Sequence, residues 1–536
     1  MAMREIETEI AVIGGGTGGV AAALAALRSG RRVVLTEQYA WLGGQFTSQA
    51  VPPDEHSWVE QFGVTASYRA LRESIRRIYR SAYPLTPRAQ KDPQLNPGAG
   101  RVSRLCHEPR VTVAAIDLLL APYLSNGQLV LLQPCVPVSA VTDGDRIVAV
   151  ELAHSGEDAD CVVTARYFLD ATETGELLRL ASAEYVTGAE AQGDTGEPHA
   201  PDRADPMNMQ AITFCFAVDH VDGNHTIDRP ELYDYWLSYR PPFWGSPLLS
   251  WTAPDPKTLE AVTRTFTPNP ADPVGDRGDY QRVDAGDKDL WLFRRILARE
   301  NFTAGFYASD ITLVNWPQVD YFDAPVIDVP DAGRRLWEAK QLSLSLLYWM
   351  QTEAPRADGG TGLPGLRLRA DVVGTTDGLA QAPYIRESRR IVSECRIVEQ
   401  DLALDVRGAR GAVRYPDSVG IGMYRIDLHP STGGDNYIDV ASSPFQIPLG
   451  ALIPVRIENL LPAAKDIGTT HITNGCYRLH PVEWNIGEVA GELAAHCLGL
   501  GEQPRAVRGN PSLLADFQRR LDARGVERDW PQVAGY

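Results

Sequence analysis

The chain has 536 residues, 44% of them apolar, with 47 glycines and 38 prolines. That length exceeds an ordinary single domain, and so many turn formers argue for a mixed α/β protein rather than a helical bundle. Basic residues number 51 against 69 acidic, a formal charge of −18, which argues against a nucleic-acid partner, since phosphate binding calls for a basic face.

The seven cysteines are Cys106, Cys135, Cys161, Cys215, Cys395, Cys476 and Cys497. Their number is odd and no two form a CxxC pair, so no disulfide framework, zinc knuckle or dithiol redox centre is expected. The start, MAMREIETEI, is charged and lacks an apolar signal core. No run approaches the ~18–20 apolar residues that span a bilayer. The expectation is a soluble, cytoplasmic protein with a small-molecule substrate, no membrane or nucleic-acid partner and no metal. Its oligomeric state stays open, a homo-oligomer included.

Taken in chain order, the first predicted element is a short apolar strand over Thr8–Val12. Gly14-Gly15-Gly16-Thr17-Gly18-Gly19 follows, then an Ala-rich helix over Val20–Leu27 ended by Ser29-Gly30, and a second strand over Arg32–Leu35 that leads to Glu37. Each part has a physical purpose in dinucleotide binding. Gly14 permits the tight turn, Gly16 lets backbone approach a pyrophosphate, and Gly19 lets the helix pack on the strand. The helix start offers free N–H groups and a positive dipole end. Glu37 lies 23 residues beyond Gly14, which suits the acid (about 20 residues on) that accepts from a ribose diol.

After Glu37 come Gln38 and then Gly43-Gly44-Gln45. This doublet is similar to the pattern of the glutathione-reductase-like FAD proteins. Short strands are expected at Val130–Leu132, Val136–Val141, Ile147–Leu152 and Cys161–Val163, with a turn at Asp143-Gly144, as a β-meander. RYFLDATETGE then resembles the DATG strand of those proteins through Asp170, Ala171 and Thr172, with Glu173 where glycine is usual. Late in the chain NLLPAAKDIG resembles their GLYAAGD strand. Asp466 takes the acidic position and Lys465 replaces the usual glycine.

The run TTHITNGCYRLHPVEWNIGEVAG joins two histidines, an arginine and a helix start at Pro481, with helical spacing over Val482–Cys497 and Gly499 as a stop. Gly475–Leu479 resembles the GANRL run of fumarate reductase and succinate dehydrogenase flavoproteins. By that match Arg478 is a candidate grip for a substrate carboxylate, against the plainer reading of a structural ion pair. His471 and His480 are candidates for proton transfer, or else structural histidines. In WLGGQFTSQAVPPDEH, Gln45 and Thr47 are expected near the flavin, while Asp54, Glu55 and His56 line the active site or merely a polar loop. In PYIRESRRI a helix would put Arg386 and Arg390 on one face, as a carboxylate network or an anion site.

Together these runs resemble the broad FAD-dependent oxidoreductase family. The resemblance implies an α/β fold: a Rossmann-type FAD-binding domain with a β-meander and an inserted α+β substrate or cap domain. Residues 1–190 and 441–500 are the expected halves of the FAD domain, 191–440 the cap, and 501–536 an extension. The cofactor is FAD, bound by Gly14, Gly16, Thr17, Gly18, Gly19, Glu37, Gln38, Gly43, Gly44, Gln45, Val136, Ala171, Thr172, Asp466, Glu483, Asn485 and Ile486. Covalent attachment at His56 or Cys106 is disfavoured. No second strand–GxGxxG–helix unit exists, since Pro364 disrupts the Gly359–Gly365 run. The function expected is oxidation of a small organic substrate by hydride transfer to flavin N5, with oxygen or another acceptor. The alternatives are an FAD monooxygenase or reductase fed by NAD(P)H, and a non-catalytic flavin binder. The aromatic-rich middle, with Trp244, Trp251, Trp291, Trp316 and Trp349, reads as core packing or a ring-binding pocket.

Overall fold

The structure is a computed structural model, and it describes residues 3–154, 158–271 and 289–536. The first segment folds as strand β1 (Arg4–Glu7), strand β2 (Ile10–Ile13), helix α1 (Thr17–Arg28) and strand β3 (Val33–Thr36). The expected first strand, Thr8–Val12, is β2, begun two residues later, and β1 precedes it as a further strand. β1 is mostly exposed and pairs in parallel with β7 (Cys161–Thr164) in a different sheet. β2 and β3 are buried at every position. They read as apolar runs, broken only by Thr36 at the end of β3, because a parallel strand is covered on both faces.

Five parallel strands make the central sheet, in the order Leu460–Pro462, β8 (Tyr167–Asp170), β2, β3, β4 (Leu129–Leu132). β4 was expected in the meander; instead it closes an edge of this sheet, Val33 opposite Leu129. The meander proper is β5 (Val136–Asp143), β6 (Arg146–Ala153) and β7, antiparallel, with β1 added at its far edge.

Every residue of α1 except Arg28 is buried. The helix lies against a second long helix, His480–Leu500, buried from His480 through Cys497. Small residues explain how close they come. A Cβ on Gly487 would stand 2.6 Å from the Gly18 carbonyl carbon, and one on Gly491 would stand 2.9 Å from that of Ala22. Pro481 sits in the first turn, as its missing N–H allows. The helix stops at Gly501, not Gly499, because Gly501 takes the left-handed conformation (φ +72°) that closes a helix.

The middle of the chain forms a four-stranded antiparallel sheet, in the order Arg295–Leu297, Ile311–Val314, Phe216–His220, Leu366–Leu368. The helix Ala332–Thr352 accompanies it. Trp244, Trp251, Trp291, Trp316, Tyr321, Phe322 and Trp349 share one buried cluster there. Phe302 and Tyr307 pack instead on the cluster that contains α1, and Phe306 is exposed. The aromatic density of this stretch is therefore core. PYIRESRRI is not helical: it runs extended into the short strand Arg390–Ile391, which pairs with Tyr185–Val186.

Candidate active site

The carboxyl ends of the parallel strands converge on one edge, the place where open α/β sheets bind ligands. β2 delivers Gly14, β3 delivers Glu37, β8 delivers Ala171 and Thr172, and Leu460–Pro462 leads to Asp466. Gly14 has φ +103°, and its Cβ position is occupied by the Ala171–Thr172 backbone (2.6 Å from Thr172 N), so only glycine fits. Gly43, at φ +110°, donates its N–H to the Gly15 carbonyl at 2.8 Å, and its own carbonyl accepts from the Thr17 hydroxyl at 3.0 Å. The loop 43–45 is thereby pinned over the start of α1. Gly44 brings its Cβ position within 3.0 Å of Thr17 N. Gly16, Gly18 and Gly19 complete the cradle, each buried.

Glu37 accepts from Gly15 N–H (3.1 Å) and Tyr39 N–H (2.7 Å). Burial, reinforced by the charge of Glu173, pushes its carboxyl up to about 8. Asp466 is buried, with Oδ1 accepting from Ala464 N–H (3.2 Å) and Oδ2 unpartnered. Burial and the neighbouring Asp170 hold it well above the usual carboxylate range. Gln45 donates to the Arg478 carbonyl at 2.9 Å and to Glu483, which leaves its Oε1 unpartnered. Buried polar atoms without partners are rare in folded proteins and mark a place where something else belongs. Here they flank a glycine cradle at a helix start, with an acid poised for a ribose. These residues fit FAD.

Gln38 is exposed, and Val136 is half-buried where β5 begins. The Asn485 side chain faces the strand Ser418–Gly422, accepting from Ile421 N–H at 3.3 Å, and Ile486 is core.

Next to the cradle a second set of buried groups gathers. Arg478, fully enclosed, donates to the Tyr384 hydroxyl (2.5 Å) and to the Asp427 carbonyl (2.9 Å), with Nε unpartnered. Asp54 N–H donates to His480 Nδ1 at 3.1 Å, and His480 Nε2 has no partner. Burial and then the charge of Arg294 hold the His480 ring well below its usual value, so the ring is neutral. The Asp54 carboxylate stands 3.6 Å from Arg294 Nη1.

The other candidates are spoken for elsewhere. His471 Nδ1 pairs with Glu387 Oε2 at 2.8 Å, and its backbone N–H donates to Glu190. Burial pulls its pKa down, but Glu387 outweighs that and the net shift is upward. Glu387 also pairs with Arg390. Arg386 is fixed by Asp320 (2.9 Å) and Arg389 by Asp328 and Glu176. Of the Asp54–His56 run, Glu55 pairs with Arg72 (2.6 Å), and His56 Nε2 lies 3.0 Å from the Gly63 carbonyl. Among the described residues, no group of three acidic, histidine or cysteine side chains is arranged to hold a metal.

The profile of a family described as FAD dependent oxidoreductase matches residues 9–521. The chain belongs to that family. FAD is its cofactor, and it is an oxidoreductase. No curated protein matches the sequence. Among solved structures, this family member is similar to a geranylgeranyl bacteriochlorophyll reductase-like protein from Thermoplasma acidophilum (8% identity, 98% of this chain and 85% of that chain, TM-score 0.33). Others are an L-proline dehydrogenase from P. horikoshii (15% identity, 35% and 25%, TM-score 0.19) and Mycobacterium smegmatis Sdh1 in complex with UQ1 (8% identity, 41% and 42%, TM-score 0.25). The chain thus spans about a quarter of the first of these two and under half of the second. No described helix is long and apolar enough to cross a membrane.

The two departures from the usual FAD strands explain each other. Glu173 and Lys465, each standing where glycine is usual, form an ion pair, and Lys465 is also 3.5 Å from Glu483. Lys465 is enclosed, and the two carboxylates outweigh burial to keep its ammonium charged. Glu173 Oε1 stands 2.7 Å from the Cβ position of Gly16 and 2.8 Å from that of Gly44, at the mouth of α1. Burial, with Glu173 adding and Lys465 opposing, raises the Glu483 carboxyl to about 7. Sequence reasoning flagged both departures singly; their pairing required the fold. Arg294 carried no motif and was missed.

Proposed function

We propose that this FAD-dependent oxidoreductase oxidises a small organic substrate, an alcohol, amine or acid, bound against the cofactor among Arg478, Tyr384, His480 and Asp54. Residues 1–190 and 441–500 serve as the FAD domain, and 191–440 supply the cap over the substrate. The observation that carries this reading is the row of buried, unpartnered polar atoms beside the glycine cradle: Gln45 Oε1, Arg478 Nε, His480 Nε2 and Asp54 Oδ1. Bound FAD supplies the two-electron acceptor.

The chain's own residues orient the substrate and move its proton. Because Asp54 N–H occupies His480 Nδ1 and the ring is neutral, its proton resides on Nε2. His480 is then a donor toward the substrate rather than a base. The free lone pairs lie on Asp54 Oδ1, which we assign as acceptor of the proton released from C–OH or C–NH. Arg478 holds the Tyr384 hydroxyl and orients the substrate from the other side. His471 we assign to the Glu387–Arg390 network, as a support for the helix His471–Tyr477.

The test is anaerobic mixing of the FAD-loaded protein with alcohols, amines and 2-hydroxy acids, and separately with NADPH, while the flavin bands are followed. Bleaching by an organic substrate alone is the expected result. Bleaching by NADPH alone, with no organic substrate effective, would replace this reading with that of an NAD(P)H-fed monooxygenase or reductase.

A further inference from the structure

Arg294 is unlike the other buried arginines of this protein. Arg295, its neighbour, donates to Gly98 O (2.8 Å) and pairs with Asp310 (2.9 Å). Arg386 donates to Ala211 O (2.8 Å), Thr213 Oγ1 (2.9 Å) and Asp320 (2.9 Å). Arg294 Nε and Nη1 are buried with no hydrogen-bond partner, and the nearest carboxylate, Asp54, is held at 3.6 Å with its own Oδ1 unpartnered. A guanidinium and a carboxylate free to approach would close to about 2.7–2.9 Å. Charged donors left open inside a protein are costly unless a ligand completes them.

The surroundings say what that ligand is. The His480 ring, neutral and with an open Nε2, sits within electrostatic reach of Arg294. So do two phenols, Tyr384 and Tyr424. One fixed positive charge, one neutral N–H donor and two hydroxyls suit a planar monoanion that accepts from several sides. A phosphate dianion would call for a second uncommitted cation. Arg478 spends both Nη groups on Tyr384 and Asp427, which leaves only Nε open, and Lys465 is engaged by Glu173 and Glu483.

We propose that Arg294, from the middle unit, and His480, from the second long helix, form a receptor for a carboxylate of the substrate, with Asp54 as the internal carboxylate that the substrate displaces from Arg294. This deepens, and rests on, the oxidation proposed above. The substrate class becomes a small carboxylic acid, its carboxylate on Arg294 and its oxidisable carbon toward the flavin. Neutralising Arg294 with the substrate carboxylate also removes its charge from beside Asp54, which makes Asp54 the better proton acceptor and couples binding to chemistry.

The experiment is calorimetric titration of the FAD-loaded protein with acetate, propionate and benzoate at constant ionic strength, together with the change in the oxidised flavin spectrum. Wild type should bind at least one of them saturably. R294M should weaken that binding at least tenfold, and R294K should recover part of it. D54N should tighten it severalfold, because the competing carboxylate is gone. That sign separates a receptor from a structural ion pair, whose loss would leave anion affinity unchanged or lower. Absence of binding to wild type, or equal binding by wild type and R294M, would overturn the proposal. If organic substrates bleach the flavin yet no carboxylate binds, this inference fails and the oxidation stands. If carboxylates bind as described yet no organic substrate bleaches it, the oxidation fails and the receptor stands.

Discussion

Replacing Gly491 by alanine tests whether the two long helices really meet backbone to backbone. In an ordinary helix interior the exchange stabilises by about 1 kcal/mol, because glycine loses more backbone entropy on folding. Here the new Cβ would stand 2.9 Å from the carbonyl carbon and 3.0 Å from the Cα of Ala22, with the carbonyl oxygen nearer still. Carbon atoms prefer about 3.5–4.0 Å. The helices must therefore part by roughly half an ångström or more along a contact in which α1 and its partner are both buried. Overpacking of that kind costs about 1–3 kcal/mol, which offsets the propensity gain and leaves a net loss of up to about 2 kcal/mol. Because α1 also presents the glycine cradle, FAD should dissociate faster from the variant. G499A is the internal control: Gly499 lies on the same helix but is exposed, with only the flexible end of Arg31 near it at 3.3 Å. Urea unfolding followed by tryptophan fluorescence gives both values. G491A more stable than wild type by the full propensity gain of about 1 kcal/mol, and no different from G499A, would refute the close contact.

Three further outcomes follow from the site. K465M leaves Glu173 and Glu483 facing each other without their cation, and removing one member of a buried pair typically costs about 3–5 kcal/mol; Glu173 is partly exposed, so the lower end applies, and E173Q/K465M should regain part of it in a double-mutant cycle of denaturation midpoints. Glu37 has its folded pKa raised to about 8 from a usual 4.5, so the folded state holds the extra proton and its contribution to stability is full below about pH 4.5 and lost as pH rises toward 8. Melting temperatures of FAD-free protein should fall relative to E37Q across that interval, and parallel curves would contradict the burial argument. H480N should raise KM with a smaller effect on kcat, whereas D54N should lower kcat by about 10²–10⁴-fold; steady-state kinetics with the reverse pattern would return the base to His480.

The cofactor end was legible in the sequence because its chemistry is local. Gly14, Gly16, Gly19 and Glu37 fall within one strand–helix–strand unit, and each is forced by a backbone constraint that acts over a few residues. The meander strands were legible too, but β4 was grouped with them because an apolar run of four residues carries no record of which sheet it joins. PYIRESRRI was misread for a related reason. Its i, i+4 arginines suit a helix, yet Arg386, Arg389 and Arg390 each have a carboxylate partner from a different segment, at Asp320, Asp328 and Glu190. Such distant partners overrule local spacing.

The substrate side was the least legible, and for the strongest physical reason. Arg294 differs from Arg295 in no property that a sequence displays; what sets them apart is that Asp310 closes on one while Asp54 stops short of the other. The Lys465–Glu173 pair makes the same point from the opposite direction. Each residue alone breaks a glycine pattern, and a buried lysine by itself would be severely destabilising. Glu173 without Lys465 would crowd the cofactor cradle with a carboxylate facing Glu483, so the two departures are one feature, read correctly only where β8 and the strand Leu460–Pro462 lie side by side.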